Sequence, residues 1–223
     1  MDLFPLWNSL RIASISIVIV FVLGIIIAYW VKKCPRIIKG ILDVFFTLSL
    51  VLPPTVIGYL LLLIFGPNRP IGQFFLELGI RFANDWKGAV LASVFVSFPL
   101  MYRTVRASFE AFNEDLASAG KTLGLSNLYV FLRIRLPACK NGIIAGSVLA
   151  FARGLGEYGA TQMLVTYSKN TATISTTIAF LRSGDKDAEA MVWILINIAV
   201  AAVFLIVINI FENRAKRRNK VHD

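Results

Sequence analysis

The feature that most constrains this chain is a series of five apolar runs, at residues 10–31, 41–65, 88–105, 141–165 and 190–211, divided by short basic or turn-rich segments. A helix crosses the hydrocarbon core of a bilayer with about 20 largely apolar residues. Such a helix also closes its backbone hydrogen bonds internally, as a segment surrounded by lipid must. The pattern predicts an all-α, polytopic protein: five transmembrane helices in a single membrane domain over residues 1–223, with 106–140 as the longest polar connection. A composition that is 57% hydrophobic, with mean hydropathy +0.71, excludes an ordinary soluble domain, which could not cover itself with polar surface.

The formal charge of +10 is distributed in a way that orients the spans. Lys32, Lys33, Arg36 and Lys39 follow the first run. Arg103, Arg106, Lys121, Arg133, Arg135 and Lys140 lie around the third connection, and Arg214, Lys216, Arg217, Arg218 and Lys220 follow the fifth run. The opposite side holds fewer: Arg11, Arg69, Arg81, Lys87, Lys169, Arg182 and Lys186. Positive-inside bias then places the N-terminus outside and the C-terminus and the 106–140 loop in the cytoplasm. Basic residues spread between spans are topogenic charge facing membrane lipid, and no nucleic-acid patch is expected. Cys34, Cys139 and the single histidine, His222, have no metal-ligand or catalytic spacing. The run near Leu10 is too long for a cleavable leader, so none is expected.

The polar loop at 113–137, NEDLASAGKTLGLSNLYVFLRIRLP, has unusual helical punctuation for a connection between spans. Asn113 is a good N-cap, Glu114 and Asp115 suit the first turn, Lys121 the last, and Gly124 a C′ stop. Leu116, Ala119 and Leu123 then form a narrow apolar stripe. Ser126 caps a second amphipathic segment carrying Leu128, Phe131 and Leu132, with Arg133 and Arg135 near its end and Pro137 expected to close it.

Two spans carry internal irregularities. Pro53 and Pro54 each remove a backbone donor from the second, predicting a kink or break, and Pro99 suggests the same of the third. Between these spans, residues 66–87 read as an outer interfacial helix, with Trp86, like Trp7 and Trp30, at headgroup level. The fourth run, NGIIAGSVLAFARGLGEYGATQMLV, has glycines that thin its faces, and Arg153 and Glu157 near its middle. Charges at that depth cost several kcal/mol unless they face protein or water. Spaced by four, the two can neutralise each other as a buried ion pair, or Arg153 can lend positive potential to an anion path while Glu157 holds it.

The 113–137 loop resembles the cytoplasmic signature of ABC importer permeases, EAA, three residues, Gly, nine residues, Ile-x-Leu-Pro. Ile134, Leu136 and Pro137 fit its end, Gly124 falls at the glycine, and Ser118, Ala119 and Gly120 stand at the EAA triplet, with serine replacing the glutamate. The resemblance implies that this loop is a coupling helix docking on an ATP-hydrolysing subunit. The runs LPPTVIGYLLL, WKGAVLA, SFPLMYRTVR and LAFARGLGEYGAT are similar to segments of molybdate importer permeases, the last also to sulfate permeases.

What the resemblance implies is a type I ABC importer permease in a bacterial inner membrane, acting as a homodimer with two copies of a cytoplasmic ATPase and an extracytoplasmic oxyanion-binding protein. Molybdate ranks ahead of tungstate and sulfate or thiosulfate by resemblance alone. The chain has no GxxxxGK[ST] sequence, so it is expected to be no enzyme and to bind no cofactor itself, ATP and magnesium belonging to the ATPase. A secondary anion transporter is the rival class. It would show inverted repeats and coupling ionisable groups on several spans, which one Arg and Glu pair fits poorly.

Overall fold

A computed structural model describes the backbone of residues 2–219 and the side chains of residues 2–206; Lys220 and His222 lie outside the described residues, as do the side chains of Arg214, Lys216, Arg217 and Arg218. Among the described residues the regular structure is entirely helical. In chain order the helices are α1 (Phe4–Lys32), α2 (Arg36–Thr47) running into a 3₁₀ turn (Leu48–Leu50), α3 (Pro54–Phe65), α4 (Pro70–Glu77) and α5 (Trp86–Glu110). There follow α6 (Glu114–Thr122), α7 (Asn127–Val130), a π-helical turn (Phe131–Arg135), α8 (Leu136–Ala138), α9 (Lys140–Leu155), α10 (Gly159–Leu164), α11 (Ile174–Ser183) and α12 (Asp187–Asn219). The chain divides into two compact units, residues 10–166 and residues 1–9 with 167–223.

The larger unit is built on α5, whose Met101, Tyr102, Val105 and Phe109 are fully buried. Helix α9 lies against it along glycines spaced by four and eight residues. A Cβ on Gly142 would sit 1.6 Å from Ser108 Oγ, one on Gly146 3.0 Å from Met101 Sδ, and one on Gly154 2.7 Å from Ser93 Oγ. The backbones approach too closely for side chains there, which is how small-xxx-small faces pack helices that gain nothing from hydrophobic burial in lipid. Helix α1 meets the same helix at Gly24, beside Met101.

Four prolines, at three sites, act in three different ways. Pro53 and Pro54 separate α2 with its 3₁₀ turn from α3 by a bend of 109°. Pro54 sits in the first turn of α3, where its missing N–H would be unpaired anyway. Helix α5 instead runs unbroken through Pro99. Proline at 99 frees the carbonyl four residues back, that of Phe95, and Ser49 Oγ donates to it at 3.3 Å. Pro137 does not close the second loop segment. The preceding π turn widens the helix so that the ring is accommodated, and helical structure continues through α8 toward α9 with a single turn residue, Cys139.

Three described helices are long and apolar enough to span a bilayer, α1, α5 and α12 (as far as Ile206), and the bent pair makes a fourth if counted as one span. The 141–165 run is not one helix. Helix α9 stops at Leu155 after sixteen residues, and α10 begins at Gly159. This second break packs on the first, since a Cβ on Gly159 would lie 3.1 Å from Pro54 Cβ and one on Gly58 2.5 Å from the Ala160 carbonyl oxygen. In the segment 66–87, α4 exposes Phe74 and turns Phe75 onto Phe65 and Phe82. Trp7 and Trp30 are exposed, whereas the Trp86 ring lies under the Arg11 guanidinium at 3.8 Å.

The smaller unit is a hairpin of α11 and α12 with the first residues of the chain. Thr173 and Thr176 form a capping box on α11, Ser9 Oγ accepts from the Ile174 amide at 2.9 Å, and Ile174, Leu181, Ala190 and Trp193 form its core.

Candidate functional site

Helix α6 is made by its two ends. The Asn113 side chain accepts from the Asp115 amide at 2.9 Å, with Glu114 and Asp115 at the positive end of the helix and Lys121 at the other. At the C-terminus Gly124, with φ +79°, donates to the Lys121 carbonyl and Leu125 donates to that of Gly120, the paired bonds of a Schellman stop. Ser126 then caps α7 by accepting from the Tyr129 amide at 3.2 Å.

The seven motif residues divide into two sets. Ser118, Ala119 and Gly124 face outward, and beside them Leu116, Leu123, Leu128, Tyr129 and Leu132 are exposed. Gly120 faces inward, where a Cβ would come within 2.9 Å of Ile134 Cδ1. Ile134 and Leu136 are half-buried against the core, and Pro137 is exposed. One set therefore forms a free surface, and Gly120, Ile134 and Leu136 hold that surface on the body.

The strongest attachment uses residues outside the motif. Arg135, 7% exposed, donates to both oxygens of Glu114, at 2.7 and 2.6 Å, while lying over the Phe112 ring. Lys32, at the end of α1, also bonds Glu114 and the Phe109 carbonyl. The Arg135 guanidinium, helped by Lys32 and opposed by partial burial, holds the Glu114 carboxyl down to about 2. Tyr29 packs against Phe131 beneath this node, the ring centroids 4.5 Å apart and the planes tilted by 45°. Sequence spacing contains no signal for it, because Lys32, Glu114 and Arg135 come from three separate segments.

A second polar node joins α2 to α5. Asp43 pairs with Arg106 and accepts from Tyr102, Arg106 also reaches Glu110 at 3.2 Å, and Lys39 pairs with Glu110. A cleft of about 400 Å³ opens beside these groups. Asp43 is the one charged residue in the 41–65 run, and an acid in an apolar run needs a cation, which was the available clue.

Arg153 and Glu157 meet at the end of α9. Arg153 Nη1 donates to Glu157 Oε2 at 2.8 Å, and Glu157 Oε1 accepts from the Ala160 amide at 2.7 Å. Glu157 therefore caps α10 as well as pairing with arginine. Its side chain is 2% exposed and that of Arg153 34%. The glutamate lies beyond the end of α9, so the pair forms across a helix break rather than along a continuous face.

Membrane helices broken at packed sites, with a capped loop helix held outward by an ion-paired base, define a transport permease of the type I ABC importer fold. A solved bacterial alginate ABC transporter, in complex with an alginate pentasaccharide-bound periplasmic protein, has this fold, with a TM-score of 0.78 over 96% of this chain and 78% of that one at 16% identity. The chain belongs to the family of binding-protein-dependent transport system inner membrane components, which it matches over residues 13–220. It is a multi-pass membrane subunit of a transporter, not an enzyme. It is 40% identical to the molybdenum transport system permease protein ModB of Escherichia coli (strain K12), covering 91% of this chain and 92% of that one. Identity to the sulfate transport system permease protein CysT of Synechocystis sp. is 27%, over 88% of this chain and 69% of the relative.

Proposed function

We propose that the chain is the permease of an ATP-driven importer of molybdate. The observation that carries this reading is 40% identity to a molybdenum permease along nine-tenths of both chains, against 27% to a sulfate permease. In this reading two copies form the path, each with a cytoplasmic ATPase subunit below, and an extracytoplasmic oxyanion-binding protein delivers the anion from outside. A C2 pair is the simplest closed arrangement that gives two identical ATPases two identical contacts. The N-terminus is outside and the C-terminus cytoplasmic, following the Lys and Arg asymmetry.

The coupling contact in this proposal is the outward face of α6, with Ala119 flanked by Leu116 and Leu123, and with Ser118 and Gly124 at its margins. Gly120, Ile134 and Leu136 support that face from behind, and Pro137 stays exposed beside them. Closure of the ATPase pair moves the loops together, and the node of Glu114, Arg135 and Lys32 passes the displacement to α1 and α5. The breaks at Pro53 and Pro54 and at residues 156–158 give the path places to bend, because a broken helix moves without losing its hydrogen bonds.

The test is uptake by the complete complex in proteoliposomes. Molybdate should accumulate only with ATP and the binding protein present, and a tenfold excess of sulfate should compete weakly. Sulfate competing as well as unlabelled molybdate would move the assignment to the sulfate branch. Uptake driven by an ion gradient without ATP would instead identify a secondary transporter.

A further inference from the structure

We propose that Arg153 is a contact for the tetrahedral oxyanion in transit and that Glu157 is the clasp holding its guanidinium at the path; this rests on the importer reading above. The basis is an asymmetry within the pair. A pair serving helix register alone is best sequestered whole, since any part of a charge left against hydrocarbon is costly. Here the Glu157 side chain is 2% exposed and the Arg153 side chain 34%. The exposed side of Arg153 therefore faces water or a second copy of the chain rather than lipid.

The hydrogen bonds fit the same division of labour. Glu157 is fixed from two directions, by Arg153 at 2.8 Å on one oxygen and by the Ala160 amide at 2.7 Å on the other. Because a backbone N–H anchors the carboxylate, the arginine can turn toward a ligand without leaving Glu157 unbonded. A guanidinium carries five N–H donors in a rigid fork, and Nη1 is the nitrogen bonded to Glu157. The fork suits two oxygens of a tetrahedral oxyanion, which an ammonium meets only as a point charge.

Position supports the assignment. Arg153 lies about 20 Å along α9 from Lys140, at 1.5 Å per residue, well inside the bilayer from the loop side. It stands one turn before the 156–158 break, which packs against the start of α3 at Pro54. Two copies related by a two-fold axis would present two guanidiniums to one dianion.

The test compares wild type, Arg153→Gln and Arg153→Lys as complete complexes with ATPase and binding protein. Assembly, binding-protein-stimulated ATP hydrolysis and molybdate uptake are measured together. Arg153→Gln should assemble and hydrolyse ATP under stimulation while uptake falls at least tenfold. Arg153→Lys, which keeps the charge and can still reach Glu157, should lose uptake several-fold with its ATP hydrolysis intact. An assembled Arg153→Gln complex with uptake within twofold of wild type overturns the inference. If Arg153→Gln does not assemble, Arg153→Lys decides, and wild-type uptake by that variant assigns the arginine a purely structural role. A wild-type complex that moves no molybdate would instead sink the importer reading, so the two failures are distinguishable.

Discussion

Glu114 and Arg135, 21 residues apart in sequence, are joined by two parallel hydrogen bonds of 2.7 and 2.6 Å that fasten α6 to the helical segment behind it. Arg135 is the buried member, and its side chain is 9% exposed against 55% for Glu114. Removing the carboxylate strands a buried cation, which costs more than the net value of the pair. Glu114→Ala should weaken local closure of the loop by about 1–2 kcal/mol, on the scale of a charged hydrogen bond at a partly exposed site. Amide hydrogen exchange across residues 114–125 should then speed up by about tenfold, with α5 and α9 unchanged. Equal exchange in the variant would mean that the pair does not secure the loop.

The same pair sets an acid limit. The Glu114 carboxyl is held at about 2, below its usual 4.5, so its folded form is the more acidic one. A depressed carboxyl contributes stability that is complete above the unfolded value and is lost as pH falls toward the folded one. Loop protection should therefore be constant down to about pH 4.5 and decline between there and about 2. Glu114→Gln should flatten that decline. A profile unchanged by the substitution would assign the acid sensitivity to other carboxylates.

Gly124 and Ala119 separate the shape of the loop from its contact surface. Nothing lies within 4 Å of a Cβ built on Gly124, so its requirement is the φ of +79° and not space. Gly124→Val should strain the Schellman stop by about 1 kcal/mol or more, whereas Gly124→Asn, which tolerates that region, should be nearly silent. Ala119→Glu leaves the backbone alone and puts a charge on the outward face. Both Gly124→Val and Ala119→Glu should reach the membrane at normal abundance, retain less ATPase on purification and lose ATP-dependent uptake. Normal retention and uptake in both would remove the coupling role from α6.

What the sequence by itself determined about this protein is whatever depends on nearest neighbours and on solvent. Apolar runs of bilayer length require helices in a membrane, and the Asn113 cap, the Gly124 stop and the Ser126 cap were legible because each acts within a few residues of itself. Proline chemistry was only half legible. The ring removes a donor wherever it stands, but whether a helix then breaks depends on a neighbour. At residue 99 Ser49 satisfies the freed Phe95 carbonyl and α5 continues, at 53 and 54 the chain turns by 109°, and at 137 a π turn carries the helix past the ring. Tertiary structure alone decided that Lys32, Glu114 and Arg135 meet, that the 141–165 run stops at Leu155, and that Arg153 rather than Glu157 keeps an exposed side. These pairings join residues from segments remote in sequence, or depend on which face of a helix another helix covers. No period or local propensity encodes either one, because both are set by how the helices close on one another.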